Sequence, residues 1–221
     1  GDFSSRPSSV ILISMKNIAI LGAAGRTGQL LVDQAVEAGY EVMAFIRDTG
    51  ETMDERPHVK VVSGDARRPE DLLKVLSGQD AVISTLGSSK PGDRVIADST
   101  VSLIQAATEA KVKRVIMMSS FLATKNFQPH PIVKFVLRLM GSIVSDIHSG
   151  EARLQASELD YTIVYATRLT NEPLNPHFKI VGTDEKVGAT DSISRADVAS
   201  FLLQQLDDTQ YVRKTVLITD K

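Results

Sequence analysis

The apolar positions of this chain come in short continuous runs separated by stretches of helical spacing. Residues 18–21 form such a run, and behind it Leu30, Leu31, Ala35 and Val36 recur at roughly the spacing of one helix face. Gly39 ends that helix, and residues 41–46 (EVMAFI) predict a second strand. A polar segment over 48–57 precedes a third strand at 59–63. Pro69 stands where a helix tolerates proline, ahead of Leu72, Leu73, Val75 and Leu76. Residues 81–85 predict a fourth strand, whose apolar, β-branched character suits burial on both faces of a parallel sheet. A long helix is predicted over 93–110 and a fifth strand over 114–118, leading into Ser119 and Ser120. Helices over 129–140 and 149–158 and a sixth strand at 161–165 follow. Beyond it come a loop rich in Asn and Pro (171–176), short strand candidates at 178–181 and 186–187, a helix from Ser194 to Gln205, and a last strand at 215–219.

Such alternation predicts an α/β protein: a three-layer Rossmann fold with a mostly parallel, doubly wound sheet, strand order 3-2-1-4-5-6, and an added C-terminal strand. No repeat, low-complexity tract or linker interrupts it, so residues 15–221 read as one domain. Residues 167–192 are expected to fold over the carboxyl ends of the strands as part of a substrate pocket. The opening segment, 1–14, is rich in serine, contains Pro7, and holds an apolar run (10–13) too short for a signal-peptide core. Met15 directly precedes the first strand, so 1–14 is read as a leader or expression remnant outside the fold.

Composition narrows the function. The 221 residues are 43% hydrophobic, enough for a sizeable core, and the formal net charge of -2 argues against nucleic-acid or membrane-surface binding driven by bulk charge. No apolar run reaches the ~18 residues of a membrane span. With no signal peptide either, a cytoplasmic location is expected. The absence of cysteine excludes disulfides, thiol catalysis and cysteine-ligated metals, and the four histidines lack metal-site spacing, so no metal is expected.

The chemistry gathers first at KNIAILGAAGRTG, residues 16–28, where Gly22, Gly25 and Gly28 stand between a predicted strand and a predicted helix. A dinucleotide-binding turn needs one glycine for a sharp turn, one for close approach of the pyrophosphate, and one for tight helix–strand packing. The helix N-terminus then offers free N–H groups and a positive dipole end to the phosphates. Arg47 is the first polar residue after the second strand, and Arg26 lies inside the glycine turn. Two guanidinium groups near one phosphate favour NADP(H) over NAD(H), while Asp48 keeps NAD open. Both arginines can also be read as solvated surface charges.

The succession GAAGRTG, FIRD, SGDARRPEDL, GQDAVISTLG, KRVIMMSS and ELDYTIVYATRL resembles the atypical short-chain dehydrogenase/reductases over nearly all of residues 15–221. Within them it is most similar to the NmrA-like, NAD(P)-binding branch that includes the biliverdin-IXβ reductases, also called flavin reductases. The resemblance implies that Gly22, Gly25, Arg26, Thr27 and Gly28 meet the pyrophosphate and Arg47 the 2′-phosphate. It places Asp65 at the adenine, Thr85, Leu86 and Gly87 beside the adenosine ribose, and Ser119 and Ser120 near the nicotinamide. Asp65 can equally be a turn or cap residue, and the serines can be helix caps.

The larger superfamily uses a Tyr-x-x-x-Lys pair on the helix before strand six, but SDIHSGEARLQASEL contains neither residue. Tyr161 and Tyr165 lie on the following strand instead. Ser120 is the first candidate to assist catalysis by resemblance, and Glu151 falls near a histidine of the branch, with His148 one turn earlier. For Glu151 and His148 the plainer reading is a polar residue on an exposed helix face. Arg168, after strand six, can meet an anionic substrate or be a surface charge. The apolar segment PIVKFVLRLM (131–140) can cap the substrate, form a dimer contact or pack in the core.

These readings converge on an NAD(P)H-dependent reductase passing hydride to a flavin or similar planar acceptor, the flavin acting as a substrate. Such a transfer depends on positioning more than on a strong local acid. The alternatives are a non-catalytic NAD(P)-sensing regulator of the NmrA type and, disfavoured by the missing Tyr-Lys pair, a nucleotide-sugar epimerase or dehydratase. A small-molecule acceptor is the expected partner, for a monomer or homodimer.

Overall fold

β1 (Asn17–Leu21) carries side chains that leave it alternately into two different cores. Ile18 and Ile20 join one apolar cluster, and Ala19 and Leu21 the other, all with no exposed surface. A strand can be apolar at every position only if both faces are covered, and here they are. The computed structural model describes residues 16–48, 50, 52–87, 92–128, 138, 141–175, 177–182 and 185–220. The helix expected over 129–140 lies, except for Arg138, outside the described residues, as does the segment 1–14.

The further elements are α1 (Arg26–Glu37), β2 (Glu41–Arg47), β3 (Val59–Gly64), α2 (Pro69–Leu76), β4 (Ala81–Ser84), α3 (Val95–Ala110), β5 (Arg114–Ser120), α4 (Gly141–Gln155), β6 (Asp160–Ala166), β7 (Arg168–Thr170), β8 (Lys179–Ile180), β9 (Ser192–Ser194), α5 (Arg195–Gln204) and β10 (Lys214–Thr219). The main sheet runs β3-β2-β1-β4-β5-β6-β10-β8. Every pairing in it is parallel except β10 with β8. This is the doubly wound order read from the sequence, extended by the C-terminal strand and an antiparallel edge.

α1 and α5 pack together on one face, where Leu31, Val32, Val198 and Leu202 are fully buried. α3 packs against α2 and α4 on the other, over Leu72, Leu76, Leu103 and Leu154. Each fully buried Leu or Ile contributes roughly 1.5–3 kcal/mol relative to exposure.

Several elements differ from the sequence reading. α3 begins at Val95 rather than 93. α4 spans Gly141–Gln155 rather than 149–158. Its early start follows from Ile147 and Asp146 facing inward: Asp146 accepts from the backbone N–H groups of Ile96 (3.0 Å) and Ala97 (2.9 Å), closing the N-terminus of α3. The strand candidate at 186–187 is a single bridge from Val187 to Phe127. A short parallel pair, β7 with β9, had no periodic signal because each strand is only three residues long.

Candidate active site

The glycine turn is built on contacts that leave no room for a side chain. Gly22 has φ +79°, a left-handed conformation that disfavours any residue with a Cβ. The N–H groups of Gly22 and Ala23 both donate to the Phe45 carbonyl at 3.1 Å, tying the turn to β2. A Cβ on Gly28 would stand 2.1 Å from the Gly22 carbonyl oxygen. Gly25 precedes α1 without a side-chain cap, and the first turn carries no acidic residue. The N–H groups at that end are therefore available to an anion, and Arg26 adds positive charge beside them. This cradle fits a pyrophosphate.

Two hollows open from the turn along the carboxyl ends of the strands. The smaller, about 420 Å³, is bordered by Gly22, Arg47, Asp65, Thr85, Leu86 and Gly87 among others. Arg47 ends β2 in register with Gly64, so the polar side chain leaves the strand where β3 gives way to Asp65. Asp65 accepts a two-pronged ion pair from Arg67, with N···O distances of 2.8–3.2 Å. That guanidinium holds the Asp65 carboxyl below its ordinary value. Thr85 Oγ donates to the Leu21 carbonyl at 3.0 Å, locking the end of β4 against the glycine turn.

The larger cavity, about 830 Å³, runs from Gly25, Arg26, Thr27 and Gly28 to Ser119 and Ser120. Its walls are largely apolar, with Met117, Met118, Ile143, Ile147 and Leu169, and with Arg168 and Arg195 at one side. Arg168 is exposed. Arg195 is partly covered and donates to the Thr170 carbonyl (3.0 Å) and to Asn171 Oδ1 (2.7 Å). Burial, and after it the charge of Arg26, lowers the Arg195 pKa. Ser120 Oγ accepts from the Leu122 N–H at 3.4 Å, so it caps the short 3₁₀ turn Phe121–Ala123 while also facing the cavity.

Behind Ser119 the structure places a buried acid. Ser119 Oγ donates to Glu151 Oε1 at 2.5 Å, and Tyr165 Oη donates to Glu151 Oε2 at 2.8 Å. Glu151 is only 5% exposed, which corrects the reading of it as a residue on an exposed helix face. The cause is close helix packing. A Cβ on Gly150 would meet Ile96 and Thr100 of α3 at 2.9–3.0 Å, so α4 packs closely against α3, and the adjoining Glu151 reaches Ser119 of β5 and Tyr165 of β6. Burial pushes the Glu151 carboxyl above its ordinary value, against the opposing effects of Ser119, Tyr165 and His148. Burial and the Glu151 charge together raise the Tyr165 hydroxyl well above its usual range, so it remains a donor. His148 stays exposed, with Nε2 against the Ala123 carbonyl at 3.0 Å.

The structure thus divides the sequence-derived residues between the two hollows: Arg47 and Asp65 line the smaller, Arg26, Ser119, Ser120 and Arg168 the larger, and Thr85, Leu86 and Gly87 border both. Sequence reasoning missed two residues, Tyr165 and Arg195. Ser119 and Tyr165 are register partners in the β5–β6 ladder, a pairing that no motif in either segment announces. For Arg195 the signal was its position directly after the Ser194 cap, at the start of the helix that follows β9.

Among the described residues no helix is long and apolar enough to cross a membrane, and no three His, Asp or Glu side chains converge on a metal position.

Known proteins resemble this chain in sequence and in fold. An uncharacterised chloroplastic protein of Arabidopsis thaliana is 28% identical, over 88% of this chain and 73% of that protein. The photosystem II assembly factor Ycf39 of Guillardia theta is 28% identical over 66% of this chain, which spans only 44% of Ycf39. An uncharacterised sugar epimerase of Bacillus subtilis, YhfK, is 27% identical over 92% of this chain and 94% of its own. Among solved structures, a short-chain dehydrogenase/reductase from Veillonella parvula in complex with NADP superposes with a TM-score of 0.76 at 22% identity, covering 92% and 94% of the two chains. ChuY of Escherichia coli O157:H7, an anaerobillin reductase, does so with 0.74 at 20% identity, covering 92% and 96%. At such identities the superpositions speak to the fold. A sequence model described as NAD(P)H-binding matches residues 22–209, from the first glycine of the turn to beyond α5, and with its cradle built as that binding requires, the chain belongs to the NAD(P)H-binding family.

Proposed function

We propose that this protein is an NADPH-dependent reductase of a flavin or a similar planar, conjugated acceptor. The observation that carries the reading is the continuity of the larger cavity, about 830 Å³, from the phosphate cradle at Gly25–Gly28 to the hydroxyls of Ser119 and Ser120. A mostly apolar hollow of that size suits two flat rings lying against one another, with few polar groups to orient them. When bound, the nicotinamide supplies a hydride to the acceptor. The chain's own part is to hold both rings, exclude water and deliver a proton.

Gly22, Gly25, Thr27 and Gly28 would hold the pyrophosphate and Arg47, with Arg26, the 2′-phosphate that distinguishes NADP(H) from NAD(H). Arg168, beside Arg195 on the cavity wall, would attract a phosphate or carboxylate on the acceptor. The name of the structural neighbour ChuY, a reductase, supports this direction. A pure NAD(P) sensor needs the cradle but has no use for a buried carboxyl joined to a cavity hydroxyl. Epimerase or dehydratase chemistry relies on a tyrosine and a lysine, and α4 carries neither.

The test is a fluorescence titration with NADPH and NADH, followed by assays with FMN, riboflavin and menadione. Tighter NADPH binding and acceptor-dependent NADPH oxidation are expected. Tight binding with no oxidation by any of the three acceptors would overturn the reductase in favour of a sensor.

A further inference from the structure

We infer that Glu151, Ser119 and Tyr165 form a built-in proton relay, in which Glu151 stores a proton and passes it through the Ser119 hydroxyl into the cavity. The inference rests on the reductase reading and goes beyond it by saying where the proton comes from. Ser119 is the catalytic residue, since it lines the cavity; Glu151 acts through it and is a positioning residue.

The geometry dictates the order of protons. A serine hydroxyl carries one hydrogen and can both donate and accept. When Glu151 is ionised, Ser119 spends its only hydrogen on Oε1, 2.5 Å away, and offers the cavity lone pairs alone. When Glu151 is protonated, Tyr165 still donates to Oε2, so the acid hydrogen belongs on Oε1 and points at Ser119 Oγ. Ser119 then turns its own hydrogen to the cavity. One carboxyl proton therefore switches Ser119 from acceptor to donor at the wall where a reduced ring would need it.

The balance closes. Hydride addition brings two electrons to the acceptor and leaves it one negative charge. The Ser119 O–H bond breaks as a new N–H or O–H bond forms on the acceptor. The Glu151 Oε1–H bond breaks in the same movement and restores the serine hydroxyl. The resulting carboxylate keeps the Tyr165 hydrogen bond and regains a proton from solvent.

Burial raises the Glu151 carboxyl above its ordinary value, which favours the stored proton. Glu151 is buried, with Ser119 facing it from β5, Tyr165 from β6, and His148 of its own helix acting in the lowering direction. α3 meets this part of α4 with Ile96 and Thr100, which bring no charge.

The experiment combines infrared pH titration of the cofactor-free protein with steady-state assays using FMN and menadione. The infrared spectrum is expected to show a protonated carboxyl band that persists above the ordinary glutamate range and vanishes in Glu151→Gln. In the assays, kcat should fall as the pH rises through that same titration. Glu151→Gln should lower kcat roughly 100-fold, flatten that limb, and leave the NADPH dissociation constant within about twofold. Ser119→Ala, which keeps the acid but cuts its outlet, should lose a similar factor while retaining the infrared band. Tyr165→Phe removes a hydrogen bond that favours the carboxylate, so it should move both the band and the kcat limb to higher pH. Wild-type turnover with a pH profile unchanged in Glu151→Gln, or unchanged kcat in Ser119→Ala, overturns the relay and leaves the reductase standing. No turnover of the wild type with tight NADPH binding overturns both.

Discussion

Ser119 of β5 and Tyr165 of β6 are partners in one parallel ladder, and both hydroxyls end on the same carboxyl group, that of Glu151. Because burial holds the Glu151 carboxyl above its ordinary value, the folded protein keeps this proton to higher pH than the unfolded chain does. The contribution to stability is therefore complete below the ordinary carboxylate range and is lost as pH rises through the folded value. Urea unfolding as a function of pH should show stability falling as pH rises above the ordinary carboxylate range, and Glu151→Gln should remove this part of the slope. An unchanged slope in the variant would assign the titration to another group.

Gly28→Ala should abolish NADPH binding and lower stability by about 1–3 kcal/mol, the usual range for overpacking. The new methyl would fall 2.1 Å from the Gly22 oxygen and 2.9 Å from Ala23 Cα, both backbone atoms that move only if the turn opens. Gly25→Ala meets the Gly22 oxygen at 3.2 Å and should cost less. Thermal unfolding and cofactor fluorescence of the two variants check the order.

Arg47→Ala should weaken NADPH about ten- to a hundredfold and NADH much less, the range expected for hydrogen bonds to a charged group. Paired titrations of variant and wild type measure it. Equal losses for both cofactors would remove the 2′-phosphate from Arg47.

Arg168→Ala should raise KM for FMN about tenfold and leave riboflavin, which lacks the phosphate, nearly unchanged. The comparison isolates charge from ring packing. A parallel rise for both acceptors would mean that Arg168 shapes the cavity without reading an anion.

Asp146→Ala should cost about 1–2 kcal/mol by exposing the first N–H groups of α3 within a buried contact. Asp146 is 5% exposed and joins two helices whose partners lie 49 and 50 residues away. Urea unfolding of Asp146→Ala gives the number, and Asp146→Asn, which keeps one acceptor oxygen, should recover part of it.

The strands, the glycine turn and the parallel order were legible in the sequence because their causes are local. Apolar runs set β1, β4 and β5; within the turn Gly22 is demanded by its left-handed φ, and Gly25 and Gly28 by contacts with Gly22 and Ala23. Arg47 and Asp65 could be placed near one hollow because each ends a strand beside its neighbour in the sheet. The same local logic mistook the start of α4, where Gly141 and the polar Ser142, Ser145 and Asp146 hide an inward-facing stripe.

By itself the sequence determined an NAD(P)-binding α/β protein and where its phosphate cradle lies, since spacing along one strand–turn–helix unit decides both. It took packing between distant segments to bury Glu151, to join it to Ser119 32 residues away and Tyr165 14 away, and to bring Arg195 to the cavity wall. The burial of this carboxyl group depends on how closely α4 settles against α3. That distance is set by Gly150 against Ile96 and Thr100, a contact between segments that carry no trace of one another in their order along the chain.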